Sequence, residues 1–77
     1  MKQDQIFREG EFTYTLPAGM NHEYVVEDQD GTIGRVVRIS PYGVQSFWHA
    51  IDPNGHVVGR FMDRKTAAEM LARKKLS

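Results

Sequence analysis

Three histidines, at positions 22, 49 and 56, are the residues of this 77-residue chain best suited to metal chemistry. His49 and His56 flank the segment Asp52-Pro53-Asn54-Gly55, so a hairpin there would bring their rings towards one another. Zinc needs three or four ligands, which His22 and Asp52 would have to complete. No helical or hairpin spacing enforces that gathering, and histidines that only hydrogen-bond satisfy the pattern with fewer conditions. No metal site is expected. Ser40, Ser46 and Thr66 supply hydroxyls, but none stands with a histidine in a recognisable nucleophile-and-base setting. Glu27, Asp28 and Asp30 cluster around a turn, where acids solvate and cap. The glycines of "GTIGR" fall inside a hairpin pattern, so they lack the helix N-terminus that would cradle a phosphate. The chain has no cysteine, which excludes disulfides, thiolate nucleophiles and cysteine-bound zinc. Small-substrate pockets typically measure ~300 to 1,000 Å³, hard to enclose with so few residues. No catalytic residue, no cofactor and no enzymatic activity are expected.

The elements that would position these residues are legible in outline. "GEFTYTLPAG" alternates Phe12, Tyr14 and Leu16 with polar neighbours, the period of a strand with one wet face. "EYVVEDQDGTIGRVVRIS" is a hairpin pattern: two β-branched runs flank Asp30-Gly31, where glycine accepts a positive φ. "VQSFWHAID" and "HVVGRFM" flank "DPNG" and form a second hairpin, with Pro53 presetting φ and Gly55 free to turn left-handed. A helix follows Phe61-Met62, capped either by Asp63 or, one turn later, by Thr66 with Glu69 at capping-box spacing. Ala67, Ala68, Leu71 and Ala72 make a small apolar stripe, and Arg73, Lys74 and Lys75 suit the negative end of the helix dipole. The expected fold class is α+β: an antiparallel sheet of about five strands, two hairpins plus an N-terminal strand, with one C-terminal helix packed on it. Residues 1–77 read as a single domain. The segments "DQDGTIGRV" and "DPNGHVVGRF" echo one another with one inserted residue, by duplication or because two turns solve the same backbone problem.

Ten basic and ten acidic residues cancel, but unevenly. Residues 1–33 hold two basic against seven acidic residues, net −5, and residues 34–77 hold eight against three, net +5. Such a dipolar chain either presents a basic face or folds its acidic half against its basic half. The N-terminal residues are polar, and no run approaches the ~20 apolar residues of a membrane span, so a cytoplasmic protein without membrane contact is expected.

Phe47 and Trp48 are adjacent and must point to opposite faces of their strand. One helix cannot cover both faces, so an exposed aromatic is expected unless Ile6 and Phe7 fold over the second face; exposed apolar patches usually mark binding surfaces.

The stretch "VRISPYGVQSFWHAIDPNGHVVGRFMDRKTAAEML" resembles the three-strand-plus-helix DNA-binding units of the plant AP2 type and the arm-binding domains of tyrosine recombinases. Trp48, Asp52, Gly55, Phe61, Asp63, Ala67 and Ala68 stand at matching places over residues 36–71. The resemblance implies a sheet laid in the major groove of double-stranded DNA, with Arg35, Arg38, His49 and Arg60 contacting bases or phosphates. The last two strands offer only Arg60 where that family is dense in cations, and a neutral chain starts with little phosphate affinity. The preferred expectation is therefore a small non-enzymatic protein-binding module that docks through Phe47, Trp48 and Tyr42. Stoichiometric regulators or inhibitors of phage and plasmid accessory type, for example against a host defence complex, are proteins of this kind. A homodimer is the further possibility, because a thin core benefits from burying an edge strand.

Overall fold

The computed structural model describes residues 3–40, 43 and 45–76. Six strands and one helix follow in chain order: β1 (Gln5–Glu9), β2 (Phe12–Leu16), β3 (Glu23–Asp28), β4 (Gly31–Ile39), β5 (Phe47–Ile51), β6 (Val57–Phe61) and α1 (Arg64–Leu76). Each strand pairs antiparallel with the next, giving one sheet in sequence order. The α+β class and the C-terminal helix match expectation, while the strand count is six instead of about five. The additional strand is β1. Its adjacent Ile6 and Phe7 point to opposite faces and both stay exposed, so it carries no one-sided alternation; its pairing comes from the two-residue turn at Gly10-Glu11. Ile6 and Phe7 thus extend the sheet and do not cover its second face.

The two later hairpins share a device. Val26 pairs with Gly34 but Glu27 with Thr32, leaving Ile33 as an extra residue; Ala50 pairs with Gly59 but Ile51 with Val57, leaving Val58 extra. The repeated Gly-Arg pairs of the sequence echo follow these two bulges directly. Each bulge turns its β-branched residue onto the helix side, where Ile33 is buried and Val58 half-buried against the core. At Gly34 the Leu71 side chain of the helix lies close against the sheet backbone. A Cβ there would lie 2.4 Å from the Ile51 carbonyl oxygen and 3.0 Å from Leu71 Cδ2, at a φ of +143°.

The turn after β5 is organised by Asp52. Its Oδ1 accepts hydrogen bonds from the N–H groups of Asn54 (3.0 Å) and His56 (2.9 Å), while its carbonyl accepts from Gly55 N–H (2.9 Å). Gly55 takes the left-handed φ of +88° that "DPNG" foreshadowed. Asp63 caps α1: its Oδ1 accepts from the Thr66 N–H at 2.7 Å, so the helix starts at the earlier of the two candidate caps.

The core lies between the sheet and α1. Phe12, Tyr14, Val26, Ile33, Val36 and Ala50 from the sheet meet Ala67, Ala68 and Leu71 from the helix, all buried. Small alanines let the helix rest close on β4, β5 and β6. No helix is long and apolar enough to cross a membrane among the described residues.

Candidate binding faces of the sheet

Alternation along the strands sorts the remaining side chains onto two faces. On the helix side, beyond the helix itself, Phe7, Tyr14, Tyr24 and Trp48 form a connected aromatic row. Ring centroids lie 6.1 Å apart for Phe7–Tyr24, 6.5 Å for Tyr14–Tyr24 and 5.7 Å for Tyr24–Trp48. Such tilted and edge-on contacts suit the ring quadrupoles. Arg64, the first residue of α1, lays its guanidinium over this row, 4.3 Å from the Tyr14 centroid, 5.3 Å from Tyr24 and 5.8 Å from Phe7. Its Nε lies 3.7 Å from Glu9 Oε1. Glu9 Oε1 and the Tyr14 hydroxyl are both buried without a hydrogen-bond partner. Burial, with the neighbouring Glu9 carboxylate adding to it, pushes the Tyr14 phenol well above its ordinary range.

Among the described residues no element is laid over the opposite face. Cross-strand register places Ile6, Thr15, Val25, Arg35 and Ile51 in one row and Glu23, Val37, His49 and Arg60 in the next, with Ile39 beside Phe47 at one end. Val25, Val37, Ile39, Phe47 and Ile51 are half-buried by their neighbours alone, and Ile6 is 66% exposed. This open face is apolar along its middle, with charges interspersed. Arg35 is tied to Glu23, and the Arg60 guanidinium sits 4.7 Å above the Phe47 ring.

Phe47 and Trp48 therefore divide as their adjacency required. Phe47 belongs to the open face and Trp48 to the helix side, where it packs against the core; each is half-buried. Tyr42 lies outside the described residues. Of the four residues singled out for DNA contact, Arg35, His49 and Arg60 share the open face with Phe47. Arg38 pairs with Trp48 and points to the other side, donating to the Asn21 carbonyl at 3.3 Å. The structure thus assembles three of the four and separates the last.

Among the described residues no three histidine, aspartate or glutamate side chains converge as a metal-ligand group. His49 is paired across the strands with Arg60, and His56 lies in the turn, 3.7 Å from Asp52 Oδ2. Asp52 is 5% exposed, and the N–H groups of His56 and Asn54 hold its carboxyl below the usual carboxylate range. Its chemistry is spent on the turn, with Lys74 Nζ 3.6 Å away.

Part of the charge split of the chain is folded in on itself. Lys75, from the basic half, donates to Asp28 (2.7 Å) and Asp30 (3.2 Å), Arg64 meets Glu9, and Arg35 meets Glu23. Lys75 lowers the pKa of Asp28, and Asp28 raises that of Lys75. The aromatic seat of Arg64 escaped sequence reading, although one signal was there: Arg64 and Lys65 occupy the first helical turn, where the dipole disfavours cations. A cation placed there needs another partner, and the aromatic row with Glu9 supplies it.

Compared with protein-family models, with curated proteins and with solved structures, the chain matches none of them. β4, β5 and β6, on which α1 rests, are part of a sheet that three further strands continue.

Proposed function

We propose that this protein is a non-enzymatic protein-binding module, a stoichiometric regulator or inhibitor, that docks through the open face of its sheet. The observation that carries this reading is the uncovered patch of Val25, Val37, Ile39, Phe47 and Ile51, with Arg60 stacked on Phe47 at one end. Apolar residues ringed by charge, presented on a hydrogen-bonded scaffold, are what a protein partner buries, and aromatic and arginine side chains are the usual anchors.

The reading as a double-stranded DNA-binding protein draws on Arg35, His49 and Arg60 sharing that face. It is the weaker one because Arg35 is already neutralised by Glu23, and Glu27 stands in the adjoining row. Phosphate affinity scales with the cations left to neutralise it, and few remain here.

The test is affinity capture with the purified protein and with Phe47→Ala and Val37→Lys variants, beside a mobility shift with duplex DNA at low salt. Loss of one captured protein in both variants, with no DNA shift, supports the reading. Capture unchanged by both variants overturns it, and a salt-sensitive shift abolished by Arg35→Ala with Arg60→Ala replaces it with the DNA reading.

A further inference from the structure

Among the described residues the six strands lie in sequence order, so β1 and β6 are edges with no strand beyond them, and the two edges differ. The β6 edge carries the Val58 bulge, which breaks the regular ladder and twists the strand away from any neighbour. The β1 edge is regular along its whole length, with no bulge and no proline. Its side chains stand out on both faces, Ile6 66% exposed and Phe7 39% exposed.

Hairpin geometry decides which backbone groups this edge offers. Glu9 and Phe12 close the two-residue turn and so form a hydrogen-bonded pair. Alternation then turns the N–H and C=O groups of Phe7 and Gln5 towards β2, and those of Arg8, Ile6 and Asp4 outwards. Ile6 and Arg8 share the open face, and Asp4, the residue just before β1, continues the same alternation. An antiparallel strand laid on this edge must therefore pair with Asp4, Ile6 and Arg8 through both backbone and side chains.

We propose that the strand which fits this edge is β1 of a second copy, paired about a two-fold axis through Ile6. In that register Ile6 faces Ile6 of its partner, Asp4 of one copy faces Arg8 of the other, and Arg8 faces Asp4. The apolar residue meets itself and the two charges meet their opposites, so one short sequence is complementary to its own reverse. On the helix side each Phe7 lies across from Gln5 of the other copy. Centring the pair on Phe7 instead would set Arg8 against Ile6, and centring it on Arg8 would set arginine against arginine. Charge complementarity thus selects a single register. Asp4 immediately precedes β1 and is exposed; its Oδ1 accepts the Ala18 N–H at 2.7 Å, which tethers the carboxylate to the segment just past β2 and leaves Oδ2 for the arginine. The result is one continuous sheet across two protomers, with their open faces joined. The proposal stands on β1 alone and does not depend on what the open face binds.

The experiment is sedimentation velocity over a concentration series, with circular dichroism confirming that each variant is folded. The wild-type mass should rise from 8.8 kDa towards twice that value as concentration increases. Asp4→Arg and Arg8→Asp should each remain monomeric alone, because each sets like charges against one another. Mixed in equal amounts they should recover the dimer, because both arginines of the first variant then face the two aspartates of the second. Ile6→Pro removes an outward N–H that the β1–β2 ladder does not use, so it should stay folded and monomeric. Phe47→Ala, on the open face, should dimerise as the wild type does. A wild-type protein monomeric at every concentration overturns the proposal. So does a dimer that survives Ile6→Pro, or a mixture of the two charge variants that stays monomeric.

Discussion

The guanidinium of Arg64 lies 4.3 Å from the centre of the Tyr14 ring, joining the first turn of the helix to one of the largest fully buried side chains of the sheet. This contact binds α1 to strands that the helix itself scarcely overlies, and it explains a cation at the unfavourable end of the helix dipole.

Arg64→Met should therefore destabilise the protein by about 1 to 3 kcal/mol in urea denaturation, through the lost cation–π contacts and the unpaired Glu9. Glu9 is partly exposed, so water screens its carboxylate and the stranded Oε1 supplies the smaller share of that loss. Adding Glu9→Gln to Arg64→Met should then recover part of the stability. A double variant weaker than the sum of the two single ones would contradict that account.

Tyr14→Phe should change stability by no more than about 1 kcal/mol. The hydroxyl is buried with no partner in good hydrogen-bond geometry, yet the Glu9 carboxylate beside it interacts with it strongly enough to raise its pKa, so the lost contact offsets the relieved desolvation while the ring contacts stay intact. The variant also has a pH signature. The folded-state pKa of Tyr14 is raised above its ordinary value of 10.0, so its contribution to stability is complete below that pH. It declines as pH rises beyond it, because the unfolded chain gives up the proton first. Melting temperature should fall above pH 10.0 in the wild type and fall less in Tyr14→Phe.

Acid should act through the turn and cap carboxylates. Asp28, Asp52 and Asp63 all sit below their ordinary value of 3.8: Asp28 chiefly through Lys75, Asp52 through the His56 N–H, and Asp63 through the Thr66 N–H. A depressed carboxylate contributes stability that is present above the unfolded-state value and lost as pH falls through the folded one. Thermal melts from neutral pH downwards should show that loss beginning near 3.8. Asp52→Asn and Asp63→Asn should each lower the neutral-pH melting temperature and flatten the acid limb. An acid limb of unchanged slope in both variants would place the sensitivity elsewhere.

Gly34→Ala should be the most damaging glycine substitution, costing roughly 2 to 4 kcal/mol. The new methyl would press on the Ile51 backbone oxygen and on Leu71 together, and at a positive φ. A Cβ at Gly59 would meet first the Phe61 ring, nearest at 2.9 Å and on a half-buried side chain, at an ordinary φ, and Gly59→Ala should cost clearly less in the same denaturation series.

Residues that act within a few positions of one another were open to reading from sequence. The "DPNG" turn, the Asp63 cap, the alanine-bearing helix stripe and the opposition of Phe47 to Trp48 all follow from local backbone geometry. β1 was not, because Ile6 and Phe7 lack one-sided alternation and the strand exists through pairing with β2. The bulges at Ile33 and Val58 lay hidden in the "GTIGR" and "HVVGR" echo, which showed that the two hairpins were alike but not that each carried an extra residue. Among candidate site residues, the strand period placed Phe47 correctly against Trp48. The same period, applied to the odd spacing of Arg35 and Arg38, puts those two arginines on opposite faces, which grouping them as joint DNA contacts overlooked.

By itself, then, the amino-acid order determined the turns, the cap, the helix and the class of fold, since each depends on dihedral preferences and hydrogen bonds between near neighbours. Tertiary structure decided which charges survive as a surface. Lys75 reaches Asp28, Arg64 reaches Glu9 and Arg35 reaches Glu23 only after the sheet has brought distant segments together. Coulombic attraction is a matter of distance in space, so Arg35, Arg64, Lys74 and Lys75 find acidic partners that chain position alone does not pair, beside an apolar sheet face that the described residues leave open.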